Sequence, residues 1–573
     1  MAGGLVAAAA LWLSAWALGR RLPAGGLAGA ALGLGAISLL TLILGLCGIL
    51  NPWPFRILLA FGALAGLKDL WDRRRTLQAV RIDGLGMLQG AGATLLILPM
   101  ALGAAVMPLD YDALEYHLGA PAAYLREGRI RHLDDNAYAA FPENQEMLYL
   151  AGLAATGTHP GGAAAAKAIN LACWILTAAA LVGAGGRAGA WGALILLASP
   201  WVLLTGGWLV YNEPGLALFT TLSVLAVREG RTTLAGLLAG LALGTKYPAA
   251  LFLILPLALF LRRKALPFLL SALAAASPWL LKNLLATGNP VFPLLGSLLG
   301  PQGWDHARWD AAHAPGGFDG DTLRAALARL GEGKLIAQAL PVFLVFGWGK
   351  ESPEKRLRLA LLAWIVVGVG LWLLFTHRID RFCLPLLPAF CLLIGFGIDA
   401  AGRLPWGRAA WMVPGAAVLL AAAGGWLQAA GGLPSLTKPW EEALVDQTRA
   451  TRATYSAAAI REINRLPAGS RVLFIGEAET FYVRLDGAVR VTAPTVFDAK
   501  PFERGEDLKA LGFTHLYVNE AELDRLQTTY GDGIHGYSRQ LRATDNFYDR
   551  LEEAGTARRI WQEGEGRWRL LAL

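Results

Sequence analysis

Long apolar segments recur along most of this chain and constrain its fold more than any other feature. A helix needs about 20 mostly apolar residues to span a membrane. Only 16% of the 573 residues are charged, whereas a soluble globular domain carries about 25%. The sequence therefore predicts an α-helical polytopic membrane protein with about 13–14 spans. The candidate spans lie near residues 4–19, 27–49, 54–68, 86–106, 164–184, 190–208, 213–227, 232–245, 248–261, 265–281, 335–349, 357–376, 382–400 and 409–428.

The basic residues between the spans predict an orientation. Lys and Arg occupy alternate short loops, and cytoplasmic loops of membrane proteins are enriched in these residues. The basic loops contain Arg20/Arg21, Lys68/Arg73/Arg74/Arg75, Arg187, Arg228/Arg231, Arg262/Arg263/Lys264, Lys355/Arg356/Arg358 and Arg403/Arg408. With these loops in the cytoplasm, the long loops 107–163 and 286–334 and the polar C-terminal tail face outward. Most of the excess positive charge, +8 in total, lies in these short loops. The sequence contains no stretch in which Lys and Arg alternate with aromatic residues, so we expect no nucleic-acid partner.

The tail, residues 434–573, is polar and contains no spanning segment. Runs rich in β-branched and aromatic residues predict strands at 471–475, 489–492 and 514–518. Helical stretches are predicted at 451–466 and 545–554. The tail is therefore predicted to be an extracytoplasmic α/β domain.

An acidic motif stands where the chain enters the first outer loop. Asp110, Asp112, Glu115 and His117 lie within eight residues. If a helix starts here, Asp112, Glu115 and Tyr116 share a face. A carboxylate at a membrane boundary can be a general base, because partial desolvation raises its pKa. Acidic residues also favour helix N-termini for purely structural reasons, and these residues alone leave both interpretations open.

Further polar residues stand at the outer ends of other spans. Ionisable groups near the membrane are costly and often functional, although long side chains can also reach the interface from a structural position. Later in the first outer loop, the pairs Asp134–Asp135 and Glu143/Glu146 are interpreted as solvated positions. The candidate substrate-binding residues from the other boundaries are Glu213, Lys246, Tyr247, Lys282, Asn283, Arg378 and Arg381.

These residue types suit transfer from a lipid phosphate. Cations at membrane depth can hold phosphate and stabilise the charge that develops as its bond breaks. A nearby carboxylate can deprotonate an acceptor hydroxyl or amine. The four cysteines do not have the spacing of metal ligands, so no cofactor and no metal site are predicted. A role for a divalent metal bound by Asp134 and Asp135 stays open.

Several motifs in this order resemble the membrane glycosyltransferases of the C superfamily (GT-C). The likeness is to bacterial members related to the protein mannosyltransferases (glycosyltransferase family 39) and the aminoarabinose transferase. It covers roughly residues 86–400. The matching pieces are Asp112–His117 with Pro121 and Tyr124, Gly244–Tyr247, Pro278–Asn283 running to Gly288–Pro293, and Arg378–Arg381 before Leu384–Pro385.

The resemblance implies a helix bundle whose first outer loop carries the catalytic acid. It implies a sugar donor linked to polyprenyl phosphate and an acceptor that is a glycan, lipid or protein, with Asp112 as general base and Asp110 as the alternative. Arg378 and Arg381 match the late-loop cations that meet the lipid phosphate. Residues 1–85 then form additional N-terminal helices and residues 86–430 the catalytic core, in the inner membrane of a bacterium with the site facing the periplasm.

Two other functions use the same residue types. A transporter or flippase for a lipid-linked or anionic substrate would need broken helices near the bilayer midplane, whereas these polar groups gather at one face. A lipid-glycan ligase or polymerase would depend on outer-loop Arg and His and would not need Asp112.

Overall fold

The computed structural model describes residues 1–74, 84–300, 306–314, 317–329, 340–346, 355–405, 407–451, 454–495, 507–530 and 547–573. Seven helices in these ranges are long and apolar enough to cross a membrane. The predicted helical membrane fold with a small α/β tail is confirmed. Arg75 and most of the predicted span 335–349 lie outside the described residues. The helices of the bundle are Ala2–Gly19, Gly26–Leu46, Pro52–Arg73, Gly84–Gly103, His159–Leu197, Pro200–Gly207, Glu213–Arg228, Thr232–Leu243, Leu255–Leu261, Ala265–Thr287, Lys355–Phe375, Leu387–Ala401 and Met412–Gly432.

The helix His159–Leu197 contains the predicted span 164–184 and the first part of the predicted span 190–208, and the chain reverses between them. Gly186 has φ 54° and ψ −124°, outside the helical region. A Cβ at Gly189 would lie 2.0 Å from the carbonyl oxygen of Leu181, although eight residues of continuous helix extend about 12 Å. Two helices therefore meet here in a tight hairpin, with Arg187 at its tip.

Three of the basic loops lie together at one end of the bundle. Arg231 Nη2 donates to the carbonyl oxygen of Pro23 at 2.8 Å. Arg228 Nη1 donates to the carbonyl oxygen of Ala184 at 3.0 Å. These contacts join three of the loops that the sequence places on one side of the membrane, and we call this the basic end.

The long loops gather at the opposite end, which we call the distal end. Asn283 Nδ2 donates to the carbonyl oxygen of Ala140 at 2.7 Å, and Arg378 Nη1 donates to that of Gly317 at 2.8 Å. The first outer loop thereby contacts the end of the helix Ala265–Thr287, which leads into the second outer loop, and the second outer loop contacts the turn before residue 380. The loops contain the π-helical turn Ala113–His117, the helices Gly119–Glu127, Asn144–Thr156, Gly296–Leu299, His306–His313 and Gly320–Arg329, and the 3₁₀ turns Ala137–Ala140 and Asp380–Leu386.

The tail forms a five-stranded sheet flanked by helices. Its strands are β1 (Arg471–Ile475), β2 (Arg490–Thr492), β3 (His515–Asn519), β4 (Arg558–Glu563) and β5 (Trp568–Ala572). The order is β2-β1-β3-β5-β4, with β1 parallel to β2 and β3, and with β5 antiparallel to its neighbours. The tail helices are Trp440–Thr451, Ala457–Asn464, Glu520–Tyr530 and Phe547–Glu553.

Candidate active site

The acidic motif forms a π-helical turn, Ala113–His117. The amide of Leu118 donates to the carbonyl oxygen of Ala113 at 2.8 Å, and the amide of Ala113 donates to Asp110 Oδ1 at 3.1 Å. The hydroxyl of Tyr116 donates to Asp112 Oδ2 at 3.1 Å, so these two side chains share a face as predicted. Such π turns are rare and occur frequently at functional sites.

Arg381 lies directly against Asp112. Its Nη2 donates to Asp112 Oδ2 in a short ion pair. The guanidinium carbon is 4.6 Å from the centre of the Tyr211 ring, a favourable cation–π geometry. The Arg381 and Asp112 side chains keep 14% and 22% exposure, so an ion pair between two distant loops remains within reach of solvent.

A second ion pair adjoins the first. Lys246 Nζ donates to Glu213 Oε1 at 2.6 Å, and Arg381 Nε is 3.9 Å from the same oxygen. Glu213 is buried, whereas the Lys246 side chain is 18% exposed. One buried carboxylate therefore sets the spacing of two cations that a ligand can reach. We call Asp112, Arg381, Glu213 and Lys246 the charge quartet, and its formal charges sum to zero.

A buried histidine–carboxylate pair stands behind the quartet. His117 Nδ1 is 2.6 Å from Glu146 Oε1, and Asn212 Nδ2 donates to that oxygen at 3.0 Å. Burial lowers the pKa of His117 and raises the pKa of Glu146, in both cases strongly. Both shifts favour the uncharged forms of the two groups. The ring of Tyr211, centred 5.5 Å from that of His117, separates the pair from Arg381.

Asp110, the alternative base, has a different environment from Asp112. Its Oδ2 is buried and has no hydrogen-bond partner among the described residues. Burial, and to a lesser extent the charge of Asp112, raises the pKa of Asp110 to about 7. A carboxylate with such a pKa is well matched to proton transfer near neutral pH. The geometry thus keeps both carboxylates as candidates, with Asp112 alone in contact with the cations.

Lys282, Asn283 and Tyr247 form a separate group that ties two outer loops together. Lys282 Nζ donates to Glu143 Oε2 at 3.2 Å. Asn283 Nδ2 donates to the Tyr247 hydroxyl at 3.1 Å, and that hydroxyl donates to the carbonyl oxygen of Phe292 at 3.3 Å. All three side chains are buried. Their contacts position the loops around the quartet, and direct substrate binding by them stays a prediction.

Arg378 and Glu115 also lie apart from the quartet. Arg378 has φ 60°, and its side chain donates to the carbonyl oxygens of Leu373 and Gly317. Glu115 is buried, and its carbonyl oxygen accepts from Asn136 Nδ2 at 3.0 Å. Of the two late-loop arginines, the structure therefore brings Arg381 to the acidic motif, and it directs Arg378 toward the second outer loop.

Glu143 and Glu146 correct one interpretation from the sequence. They were expected to be solvated, but they are 3% and 2% exposed. Burying a carboxylate is costly unless it is paired. Lys282 pairs with Glu143, and His117 and Asn212 pair with Glu146. In the sequence, the feature that could have indicated their burial was their three-residue spacing at the start of an apolar helix.

No group of three or more His, Cys, Asp or Glu side chains is arranged to hold a metal ion within the part of the chain that the structure describes. The exposed Asp134 and the neighbouring Asp135 do not converge on a common point with a third ligand. Asp135 Oδ2 instead accepts from the amide of Ala493 in the tail at 2.8 Å.

The fold is similar to that of a solved structure. No family model and no curated protein sequence matches the chain. One matching structure is entitled "Crystal Structure of ArnT from Cupriavidus metallidurans bound to Undecaprenyl phosphate". It shares 15% sequence identity, covers 85% of this chain and 98% of its own, and superposes with a TM-score of 0.55. The chain therefore has the fold of this ArnT structure, which is the kind of helical membrane fold that the resemblance implied.

Proposed function

We propose that this protein is a membrane glycosyltransferase that moves a sugar from a polyprenyl-phosphate donor to an acceptor. The observation that supports this function best is the charge quartet. It combines one solvent-accessible carboxylate, Asp112, with two cations, Arg381 and Lys246, at the distal end of a membrane bundle. General-base catalysis and phosphate binding need this combination.

The reaction follows from these positions. Asp112 accepts the proton of the acceptor hydroxyl or amine while the acceptor atom forms a bond to the anomeric carbon of the sugar. The bond between that carbon and the phosphate oxygen breaks, and its electron pair leaves with the phosphate. Arg381 and Lys246 stabilise the additional charge on the leaving phosphate. Attack from the side opposite the phosphate inverts the anomeric centre.

The charge balance of the quartet agrees with this reaction. A phosphodiester donor brings one negative charge into a neutral group, and the product is a monoester dianion. Because the proton of the acceptor stays on Asp112, the sum of the charges in the site does not change. A low-dielectric membrane boundary favours reactions in which charge is redistributed within the site.

The known structure of similar fold supports the class of donor. The ArnT structure holds undecaprenyl phosphate, and a lipid donor gives a physical reason for a site at the end of a membrane bundle. The clustering of basic loops at the other end supports a periplasmic site in a bacterial inner membrane, by the positive-inside rule. The sugar and the acceptor are not specified by these residues.

The alternatives fit the site less well. A transporter would place its substrate groups near the bilayer midplane, but the quartet is formed by loop and helix-end residues, 112, 213, 246 and 381. A ligase or polymerase that works without a base would leave the contact between Asp112 and Arg381 without a role in the chemistry.

The test is sugar transfer by the full chain in membranes supplied with polyprenyl-phosphate sugars, measured as release of polyprenyl phosphate. Asp112→Asn should abolish transfer, and Arg381→Gln should weaken donor binding. Asp446→Asn is the matched control, because it removes the same charge from an exposed tail position that pairs with Lys438. Normal transfer by both Asp112→Asn and Asp110→Asn would refute the mechanism.

A further inference from the structure

One segment of the tail contacts the acidic motif directly. After β1, residues 477–483 lie against the π-helical turn. The amides of Thr480 and Phe481 donate to the carbonyl oxygen of Leu114 at 3.1 and 3.2 Å. Leu114 is the second residue of that turn, so the tail contributes hydrogen bonds to the segment that presents Asp112.

A second contact lies on the other side of the motif. The hydroxyl of Tyr482 donates to the carbonyl oxygen of Pro108 at 2.7 Å, and the side chain is 1% exposed. Pro108 precedes Asp110 and Leu114 follows Asp112. Both catalytic candidates therefore lie between two points that the tail holds.

The tail segment is itself fixed to its sheet. Glu477 Oε1 accepts from the amide of Glu479 at 2.9 Å, and Glu477 Oε2 accepts from Asn519 Nδ2 at 2.9 Å. Gly476 leaves β1 with φ 71°, and a Cβ there would lie 2.7 Å from the carbonyl oxygen of Asn519. A left-handed backbone and a close approach both require glycine here. The loop is thus a rigid extension of β1 and β3.

Additional bonds fasten the segment to the rest of the first outer loop. Arg126 Nη1 donates to the carbonyl oxygens of Thr480 and Val483, each at 3.3 Å. His159 Nε2 is 3.1 Å from the carbonyl oxygen of Val483. Because an isolated π turn is intrinsically unfavourable, these external contacts stabilise a geometry that the local sequence would not hold by itself.

We propose that the tail domain is a positioning element of the active site and that Tyr482 is a positioning residue for the catalytic carboxylates. This inference rests on the proposed function. Tyr482 does not touch the quartet, so it acts through Pro108 on the placement of Asp110 and Asp112. The cations Arg381 and Lys246 belong to other segments, and among the described residues neither has a hydrogen bond or ion pair with the tail.

The test compares Tyr482→Phe with Tyr455→Phe in the full-length protein in nanodiscs. Both substitutions remove a buried hydroxyl from the tail, but that of Tyr455 has no hydrogen-bond partner among the described residues. Tyr482→Phe should lower kcat on the order of tenfold, because small displacements of reacting groups are costly. Its affinity for polyprenyl phosphate should stay within about twofold of the parent, because the cations are unmoved.

Hydrogen exchange supplies a readout that does not depend on activity. Amides in residues 108–118 should exchange on the order of tenfold faster in Tyr482→Phe than in Tyr455→Phe, because local opening becomes easier. Equal kcat and equal exchange in the two variants would overturn the proposal. So would a parallel loss of kcat, lipid affinity and melting temperature in Tyr482→Phe, which would indicate a merely structural role. Absence of sugar transfer by the parent would instead refute the proposed function.

Discussion

Asp112→Asn should tighten the binding of polyprenyl phosphate while it abolishes sugar transfer. In the structure, Arg381 is engaged by the Asp112 carboxylate. A phosphate that binds Arg381 must compete with this carboxylate and must also tolerate its charge. The asparagine variant removes both obstacles, so the loss of the proposed base should improve the affinity for the lipid product.

The magnitude follows from Coulomb's law. A phosphate dianion on the far side of the guanidinium would lie roughly 6 Å from Asp112. Even with the dielectric constant of bulk water, about 80, the repulsion between the carboxylate and the dianion is about 1.4 kcal/mol, and it is larger in a less polar site. The Kd should therefore decrease by at least about tenfold.

The assay is isothermal titration of the purified full chain with a short-chain polyprenyl phosphate at low ionic strength. Asp112→Glu keeps the charge and should bind like the parent, and Asp446→Asn should also leave Kd unchanged, because its carboxylate lies on the exposed tail helix. An unchanged or weakened affinity in Asp112→Asn would refute the reasoning that Asp112 and the phosphate share Arg381.

Three further outcomes are expected. Lys246→Met should weaken polyprenyl-phosphate binding about tenfold through loss of a charge-assisted contact, measured by the same titration, whereas Lys68→Met at the basic end should not. Lys282→Met should cost about 3–5 kcal/mol of stability because Glu143 is left buried and unpaired; thermal unfolding measures this, and adding Glu143→Gln should restore part of it. Burial raises the pKa of Asp110 from 3.8 to about 7, so the folded chain retains a proton that the unfolded chain releases, and the parent loses stability as pH rises through this interval. The melting temperature of Asp110→Asn should therefore rise relative to that of the parent as the pH increases from about 4 to 7, and the difference should be constant above pH 7. A difference in melting temperature that does not depend on pH would contradict the assigned pKa.

The sequence predicted the parts of this molecule that depend on local patterns. Apolar length predicted the bundle, and alternating basic loops predicted its two ends. The hairpin at Gly186 also matches two predicted spans, because Arg187 interrupts the apolar run. Strands β4 and β5 were missed, since β4 lies at the sheet edge and its polar residues lack the apolar alternation of a half-buried strand.

The candidate site was predicted as a set of residues but not as a set of contacts. Arg378 and Arg381 have the same chemistry and are three residues apart, yet only Arg381 meets Asp112. The backbone φ of Arg378 is positive, and no local pattern in the sequence predicts this turn. Glu146 was missed because its partners, His117 and Asn212, come from other segments.

The contact between Asp112 and Arg381 joins residues 269 positions apart, and this separation has a consequence for biosynthesis. Asp112 is synthesised long before Arg381. Under the proposed function, a nascent chain that has not reached residue 381 has the proposed base but lacks a complete phosphate site. Chains that stop short of this point should therefore accumulate in the membrane without transferring sugar.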